Sequence, residues 1–452
     1  MFAATPPLEA LRMIVSDAAT IAYKKNGQPR RKVVMINDVA RAFFEAKATR
    51  KICVELPKED LKSEDGDLVA LLEKSLYGTR DAALNFQKEV KHLMMSIGFR
   101  NGQYSVSTYF HPERDIKTMV HGDDFVSVGD VEDIKWLQNK LEERFELKTT
   151  VVGKEEESEG RILNRIIRCT KQGWEYEADQ RHAEFVINAL NLQEAKPVST
   201  PQEAQKPSKV TEEAQKLSQE KATEYRSLAA RANYLAVDRI DIQYAVKEIC
   251  RNMSDPTVGD RRKLKRLARY LKAKPRLVSE YTWQERVIDM DGYTDSDWAG
   301  CKDTAKSTSG GVIMWGSHML KSWSSTQKSI TLSSAEAELV AAVKVSTELI
   351  GMTQLAADWG LDSHGKVHVD SSAAIGVAQR RGCGKMRHVR VGTLWIQESV
   401  ENGDLDIAKI HGEWNPADLL TKGLTEEKSR RFVTMASQRF REGRAKCGLL
   451  LK

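Results

Sequence analysis

The chain has 452 residues but only six cysteines, Cys53, Cys169, Cys250, Cys301, Cys383 and Cys447, and no two form a Cys-x-x-Cys pair. That scatter excludes a cysteine-built zinc module and a disulfide frame, and it fits thiols kept reduced inside a cell. Nine histidines show no ligand spacing either. No apolar run approaches the length of a membrane span and no signal peptide opens at Met1, so no membrane partner is expected. An excess of one charge is lacking as well. Lys and Arg number 70 against 64 Asp and Glu, so the placement of the +6 matters more than its size. The length allows two or three domains with cores of their own.

What the chain does have is acids at the ends of apolar runs. Val287–Ala342 opens with a run that delivers Asp295 among small and polar neighbours. Two short β-type runs follow, Gly311–Met314 and Met319–Ser325, separated by a turn at Trp315-Gly316-Ser317. Ser333-Ser334 then starts a helix that carries Glu336 and Glu338. Residues two apart on a helix point roughly 200° from each other, so one of these two faces inward. Glu338 is the preferred one, leaving Glu336 as a solvated residue near the helix start. Lys366–Ile375 is a β-type run reaching Asp370 and leading into a helix, and Trp414–Lys422 places Asp418 just after a Pro suited to a helix start. Four acids from four elements repel unless a cation neutralises them, and hard oxygen ligands in that number suit a pair of Mg²⁺ ions, with Mn²⁺ as the alternative.

The first third holds a second set. Lys32–Asp38 is a β-type run ending on an acid, and Thr118–Gly129 reads as two β-runs around a tight turn at Gly122-Asp123-Asp124. Asp38, Asp123 and Asp124 would thus leave adjacent strands together, again as ligands for paired Mg²⁺. Helices are expected over Leu8–Ala22, Ala82–Ile97 and Val131–Phe145, and a single β-type run over Arg161–Cys169. The segment Glu175–Leu192 is expected to be helical, with Phe185, Val186, Ala189 and Leu190 as its apolar face. Between Thr257 and Arg276 nine Lys and Arg stand against Asp260 alone. Leu264, Leu267, Ala268 and Leu271 make the buried stripe there, so Arg261, Arg262, Lys265, Arg266 and Arg269 would lie on an outward basic face, solvated or laid against a phosphate backbone. Six tryptophans between Trp298 and Trp414 are read mainly as core.

These phrases carry a resemblance. YTDSDWAG, KSTSGG, WSSTQ, LSSAEAE and NPADLLTK resemble the ribonuclease H domain of copia-type retrotransposon polyproteins. FAATPPLEALR, DVARAFF, KSLYGTRDAALNF and HGDDF resemble the reverse transcriptase of the same polyprotein. The resemblance implies an α/β and α+β multidomain chain: reverse transcriptase over 1–195, a linker over 196–222, a helical connection over 223–286, ribonuclease H over 287–424 and a C-terminal helical tail over 425–452. It makes Asp38, Asp123 and Asp124 the polymerase metal ligands and Asp295, Glu338, Asp370 and Asp418 those of the nuclease. Phe43 falls at the steric gate below the sugar, a position that core packing would explain equally well. Gly78 falls in the loop supporting template and nucleotide, where a close backbone cannot carry a Cβ. Lys385, Arg387 and His388 match the substrate-facing loop of the nuclease, and His411 lies where such nucleases carry a mobile histidine.

The implied substrates are an RNA template, a DNA primer, deoxynucleotides and the RNA–DNA hybrid. The implied location is the cytoplasmic particle of the element, or the nucleus. His121, Gly122, Arg41, Ala83 and Ile240 depart from the family pattern. The basic hairpin that grips the triphosphate, expected upstream of Phe2, is not in the sequence, which therefore reads as an N-terminally truncated copy. A truncated or domesticated copy that binds nucleic acid without polymerising is the alternative reading. An integrase or resolvase is disfavoured, because those order their acids Asp, Asp, Glu with the Glu last.

Overall fold

Lys-Val-Val-Met-Ile-Asn-Asp-Val is rich in β-branched and long apolar residues, and it forms a buried strand, β1 (Lys32–Val39), with only Asp38 exposed near its end. The computed structural model describes residues 3–24, 26–57, 59, 68–202, 214–384 and 386–451. Lys385 and residues 203–213 of the expected linker lie outside them. Contacts divide the chain into two units: Met1–Ala18, Ala22–Ser158 and Gln354–Leu361 make one, and Ala19–Ile21, Glu159–Thr353 and Asp362–Lys452 make the other.

In the first unit α1 (Leu8–Ala19) precedes β1. Then come the short strands β2 (Cys53–Glu55) and β3 (Val69–Leu71), α2 (Ala82–Ser96), β4 (Arg100–Asn101), β5 (Thr108–His111), β6 (Ile116–His121), β7 (Asp124–Asp130), α3 (Val131–Glu142) and β8 (Leu147–Val152). One antiparallel sheet runs in the order β4-β5-β6-β7-β1-β8. The apolar stripes of α2 (Phe86, Val90, Met94) and α3 (Ile134, Leu137, Leu141) close the core over Val33, Met35, Tyr109 and Phe125. The Asp130 side chain caps α3 by accepting from Glu132 N–H, and acids occupy that helix's first turn. β6 and β7 meet at Gly122, whose φ of +65° a glycine adopts at little cost.

The second unit begins with β9 (Glu159–Ile162), β10 (Arg165–Thr170) and β11 (Gly173–Ala178). The run 161–169, expected as one strand, is therefore a hairpin, folded at Leu163 and Asn164, both with positive φ. The Glu175–Ala178 end of the expected helix is strand β11 instead, paired on both sides, and the helix α4 starts only at Arg181 (Arg181–Ala189). With α5 (Gln219–Ala236), α6 (Gln243–Cys250) and α7 (Val258–Ala273) it encloses a core of Val186, Tyr225, Leu228, Val246, Leu264 and Leu267. Ile240, buried in a 3-10 turn, joins α5 to α6.

Two further expectations change here. The connection is not helical throughout, because β12 (Arg276–Thr282) pairs with β11. Nor is the tail wholly helical: after α11 (Glu426–Met435) a strand, β18 (Gln438–Arg441), completes the sheet β18-β12-β11-β10-β9. β12 is buried along most of its length, as expected of a strand paired on both sides, and Gln438 of β18 is buried at the sheet edge.

A second sheet, order β15-β14-β13-β16-β17, is antiparallel from β13 (Asp289–Asp297) through β14 (Thr308–Trp315) to β15 (His318–Thr326). It is parallel from β13 to β16 (His364–Val369) and β17 (Leu405–Lys409). Between β15 and β16 runs α8 (Ser334–Asp358); α9 (Ser372–Ala378) and α10 (Val391–Glu401) lie between β16 and β17. By length and composition α8 would suit a membrane, but half of its apolar window is buried in the protein, where it meets the sheet. Gly292 of β13 makes that approach feasible, since a Cβ there would stand 2.9 Å from Val345.

Candidate active sites

Each acid at the nuclease-like site is delivered by the end of a different element. β13 carries Asp295 to the sheet end, buried at 5% exposure. The first turns of α8 carry Glu338, also buried. Asp370 follows β16 directly. Ligand atoms of Asp295, Glu338 and Asp370 all lie within 4.8 Å of one another, the one such group among the described residues.

The neighbours fix the carboxylates in place. Ser296 donates to Glu338 Oε1 through its N–H (3.0 Å) and its hydroxyl (2.8 Å), and Thr421 Oγ1 donates to Asp295. Glu338 Oε2 is buried with no hydrogen-bond partner. Burial, with the other acids adding to it, pushes Asp295 up to about 7 and Glu338 up to about 8; burial and Asp418 push Asp370 upward as well. An orphaned buried oxygen beside two further hard oxygen donors is a donor set that fits a divalent cation.

Asp418 approaches on a 3-10 turn, Pro416–Leu420, rather than the expected helix start, with Pro416 at its head and Asn415 capping Ala417 N–H. Two features seat that turn. Asn415 Nδ2 donates to Thr294 O at 2.8 Å, next to Asp295. Gly310 leaves room below it, since a Cβ there would lie 2.7 Å from Ala417 O. Asp418 stands outside the group of three, ion-paired with Lys422. The same ammonium acts electrostatically on Asp295, Asp297 and Asp370. Sequence reasoning passed over Lys422, although its i,i+4 spacing from Asp418 is a readable signal. Thr421, Ser296 and Gly310 carried no such signal.

Glu336 is not solvated. It is buried, accepts from Leu332 N–H at 2.7 Å and pairs with His388 Nε2 at 3.0 Å, so the 386–389 loop returns to the start of α8. Arg387 is exposed beside it. His411 caps the short turn Gly412–Trp414, accepting from Glu413 N–H, and a Cβ on Gly412 would lie 3.8 Å from Asp370. Of the six tryptophans, Trp298 and Trp414 are exposed rather than core.

The outward basic face expected over α7 is partly covered. Arg266 donates to Thr200 Oγ1, Arg269 to Lys196 O and Lys272 to Ala195 O, while Arg261 pairs with Glu224. The carbonyls of Ala195 and Lys196 need donors, and Lys272 and Arg269 supply them. Arg262, Lys263 and Lys265 remain exposed.

In the first unit Asp38 and Asp124 face each other in register across β1 and β7, with Asp123 in the turn and its carbonyl accepting Val39 N–H. The three carboxylates do not converge within 4.8 Å, as the nuclease-like set does. They still interact: burial first, then Asp123 and Asp38, raise Asp124 to about 6. The Phe43 ring lies 4.4 Å from that of Tyr77, the neighbour of Gly78, so the two nucleotide-site candidates are brought to one place. Phe43 also lines a small cavity with Ala83, Val120 and Gly122. Gly78 has φ +93° with nothing within 4 Å of a Cβ, so the backbone conformation selects glycine there.

Residues 22–204 match the family described as reverse transcriptase (RNA-dependent DNA polymerase). A solved foamy viral protease-reverse transcriptase in complex with RNA/DNA hybrid superposes with a TM-score of 0.52 over 91% of this chain and 46% of that one, at 11% identity. The chain thus has the mixed α/β fold of a reverse transcriptase. The retrovirus-related Pol polyprotein from transposon RE2 of Arabidopsis thaliana is 29% identical over 396 residues, 86% of this chain and 26% of that protein. The one from transposon TNT 1-94 of Nicotiana tabacum is 27% identical over 444 residues, 95% of this chain and 32% of that protein. Over 86% to 95% of its length the chain is thus similar to retrovirus-related Pol polyproteins of transposons, and it spans between 26% and 32% of these relatives' length.

Proposed function

We propose that the chain copies RNA into DNA at Asp38, Asp123 and Asp124 and cleaves the RNA strand of the resulting hybrid at Asp295, Glu338, Asp370 and Asp418. The convergence of Asp295, Glu338 and Asp370, with one Glu338 oxygen orphaned, is the observation that carries the nuclease half. The reverse transcriptase match over 22–204 supports the polymerase half. The fourfold acid set would hold two Mg²⁺, or Mn²⁺, which when bound activate water and stabilise a leaving 3′-oxygen.

The protein's own part is positioning. Ser296 and Thr421 orient the buried carboxylates, and Lys422 holds Asp418 aside while lowering the repulsion among the acids. In the polymerase half the β1–β7 register holds Asp38 opposite Asp124, and Phe43 on Tyr77 floors the sugar.

Purified chain with Mg²⁺ should cleave the RNA of an RNA–DNA hybrid and leave duplex RNA intact; equal cleavage of both would reject a hybrid nuclease. Primer extension on an RNA template tests the other half. There Asp124→Asn should reduce extension by a hundredfold or more, a loss of about 3 kcal/mol in transition-state stabilisation. Extension by Asp124→Asn at the native rate would remove these acids from the reaction.

A further inference from the structure

Trp414 is 60% exposed, an unusual setting for the largest apolar side chain, yet its backbone is tightly held. Its N–H donates to His411 O at 2.8 Å, and Asn415 N–H donates to Gly412 O at 3.2 Å. The residues around it touch the acid-bearing elements: Gly412 lies against Asp370, and the Asn415 side chain is bonded to Thr294 beside Asp295. The turn that carries the indole therefore adjoins the elements that bear the acid cluster. The indole also forms one wall of an open concavity of about 770 Å³, whose other wall is α11, with Glu426 and Glu427 in its first turn and Arg430, Arg431, Thr434 and Met435 beyond them.

The cations in this concavity are placed for use. The Arg431 guanidinium lies 4.9 Å from the centre of the Trp414 ring. Arg430 is joined to Glu426 at 3.4 Å by an exposed pair, which is worth little and exchanges readily for another anion. Lys274, 3.9 Å from Glu426, offsets that acid's charge. A flat apolar face flanked by guanidinium groups matches the sugar–phosphate backbone of a nucleic-acid strand, where the aromatic lies on the sugar and arginine takes the phosphate.

We propose that Trp414, Arg430 and Arg431 form a strand-binding subsite next to the acid cluster, which holds the sugar–phosphate backbone of the hybrid beside the cut. This rests on the nuclease reading and adds a substrate contact to it. The contact is independent of sequence, and it fixes the strand on the side of the cluster from which Asp418 enters.

The test measures binding and cleavage separately on the full chain, using a fluorescently labelled RNA–DNA hybrid. Trp414→Ala should weaken hybrid binding roughly tenfold in EDTA. In Mg²⁺ it should raise KM by a similar factor with kcat within about threefold, as expected when binding is lost equally from ground and transition states. Trp414→Phe should restore most of the affinity, and Arg430→Gln should reduce the slope of log affinity against log salt by roughly one. Because the ring is exposed, the thermal midpoint of Trp414→Ala should stay at the native value. Unchanged affinity in both Trp414→Ala and Arg430→Gln would overturn the subsite. A native chain that binds the hybrid through Trp414 but fails to cut it would overturn the nuclease reading and leave the subsite standing.

Discussion

Asp295→Asn should lower Mg²⁺-dependent cleavage of the hybrid by about a thousandfold or more, on the order of 4 kcal/mol of barrier. Asp295 is one of the three clustered acids, 5% exposed, and the Thr421 hydroxyl donates to it and fixes its orientation. Asparagine keeps the shape but removes the negative charge a cation needs. A second readout follows from proton affinity. Asp295 and Glu338 are raised to about 7 and about 8 from ordinary values near 4. A carboxyl raised on folding binds its proton more tightly in the folded chain. Its stabilising effect is full below about pH 4 and fades as pH rises through 7 to 8. Without metal the native protein should therefore lose stability between pH 5 and pH 8.

Each tenfold change in proton affinity is worth about 1.4 kcal/mol, so the total is several kcal/mol. Mg²⁺ at pH 8 should reverse that loss and raise the thermal midpoint. Asp295→Asn should melt higher than the native chain in EDTA at pH 8 and gain little from Mg²⁺. Native-rate cleavage by Asp295→Asn, or the same Mg²⁺ response in both proteins, would refute the assignment.

Glu177→Ala should cost the second unit about 3–5 kcal/mol. Glu177 is 2% exposed and accepts from Arg168 Nη2 at 2.7 Å and from Arg276 at 2.7 and 2.8 Å. Arg168 continues to Glu175 and Glu159, and Glu175 to Arg441, so one buried network ties β9, β10, β11, β12 and β18 together. Deleting Glu177 leaves two buried guanidinium groups short of a partner. A fall of the thermal midpoint on the order of 10 °C is expected. Glu177→Gln keeps an acceptor without the charge and should fall between the two. A loss under about 1 kcal/mol in urea unfolding would mean that the network contributes little.

How much of this was legible depended on how local the signal was. β1 and the β6–β7 hairpin follow from apolar runs that end on acids and were read close to their observed bounds, and the run before Asp370, read from Lys366, is β16, which starts at His364. The β9–β10 hairpin was missed because its turn uses Leu163 and Asn164 at positive φ, with neither Gly nor Pro to mark it. β11 was read as helix because Glu and Ala favour helices, and pairing on both sides overrode that preference. On α7 the period gave the correct buried stripe, but nothing local announces that residues 195–200 lie across the basic side. Glu336 was placed in solvent for the same reason: the loop that brings His388 to it begins some fifty positions later.

The turn that seats Asp418 touches the rest of the second unit through partners far away in the chain: Asn415 reaches Thr294, and Thr421 reaches Asp295 across 126 residues. During translation the acid cluster thus lacks its supporting turn until residues 415–421 have left the ribosome. Pairings so distant in sequence are also the slow ones to form. On the proposed nuclease function, the nascent protein would then be unable to attack RNA around it until nearly all of this region has been made.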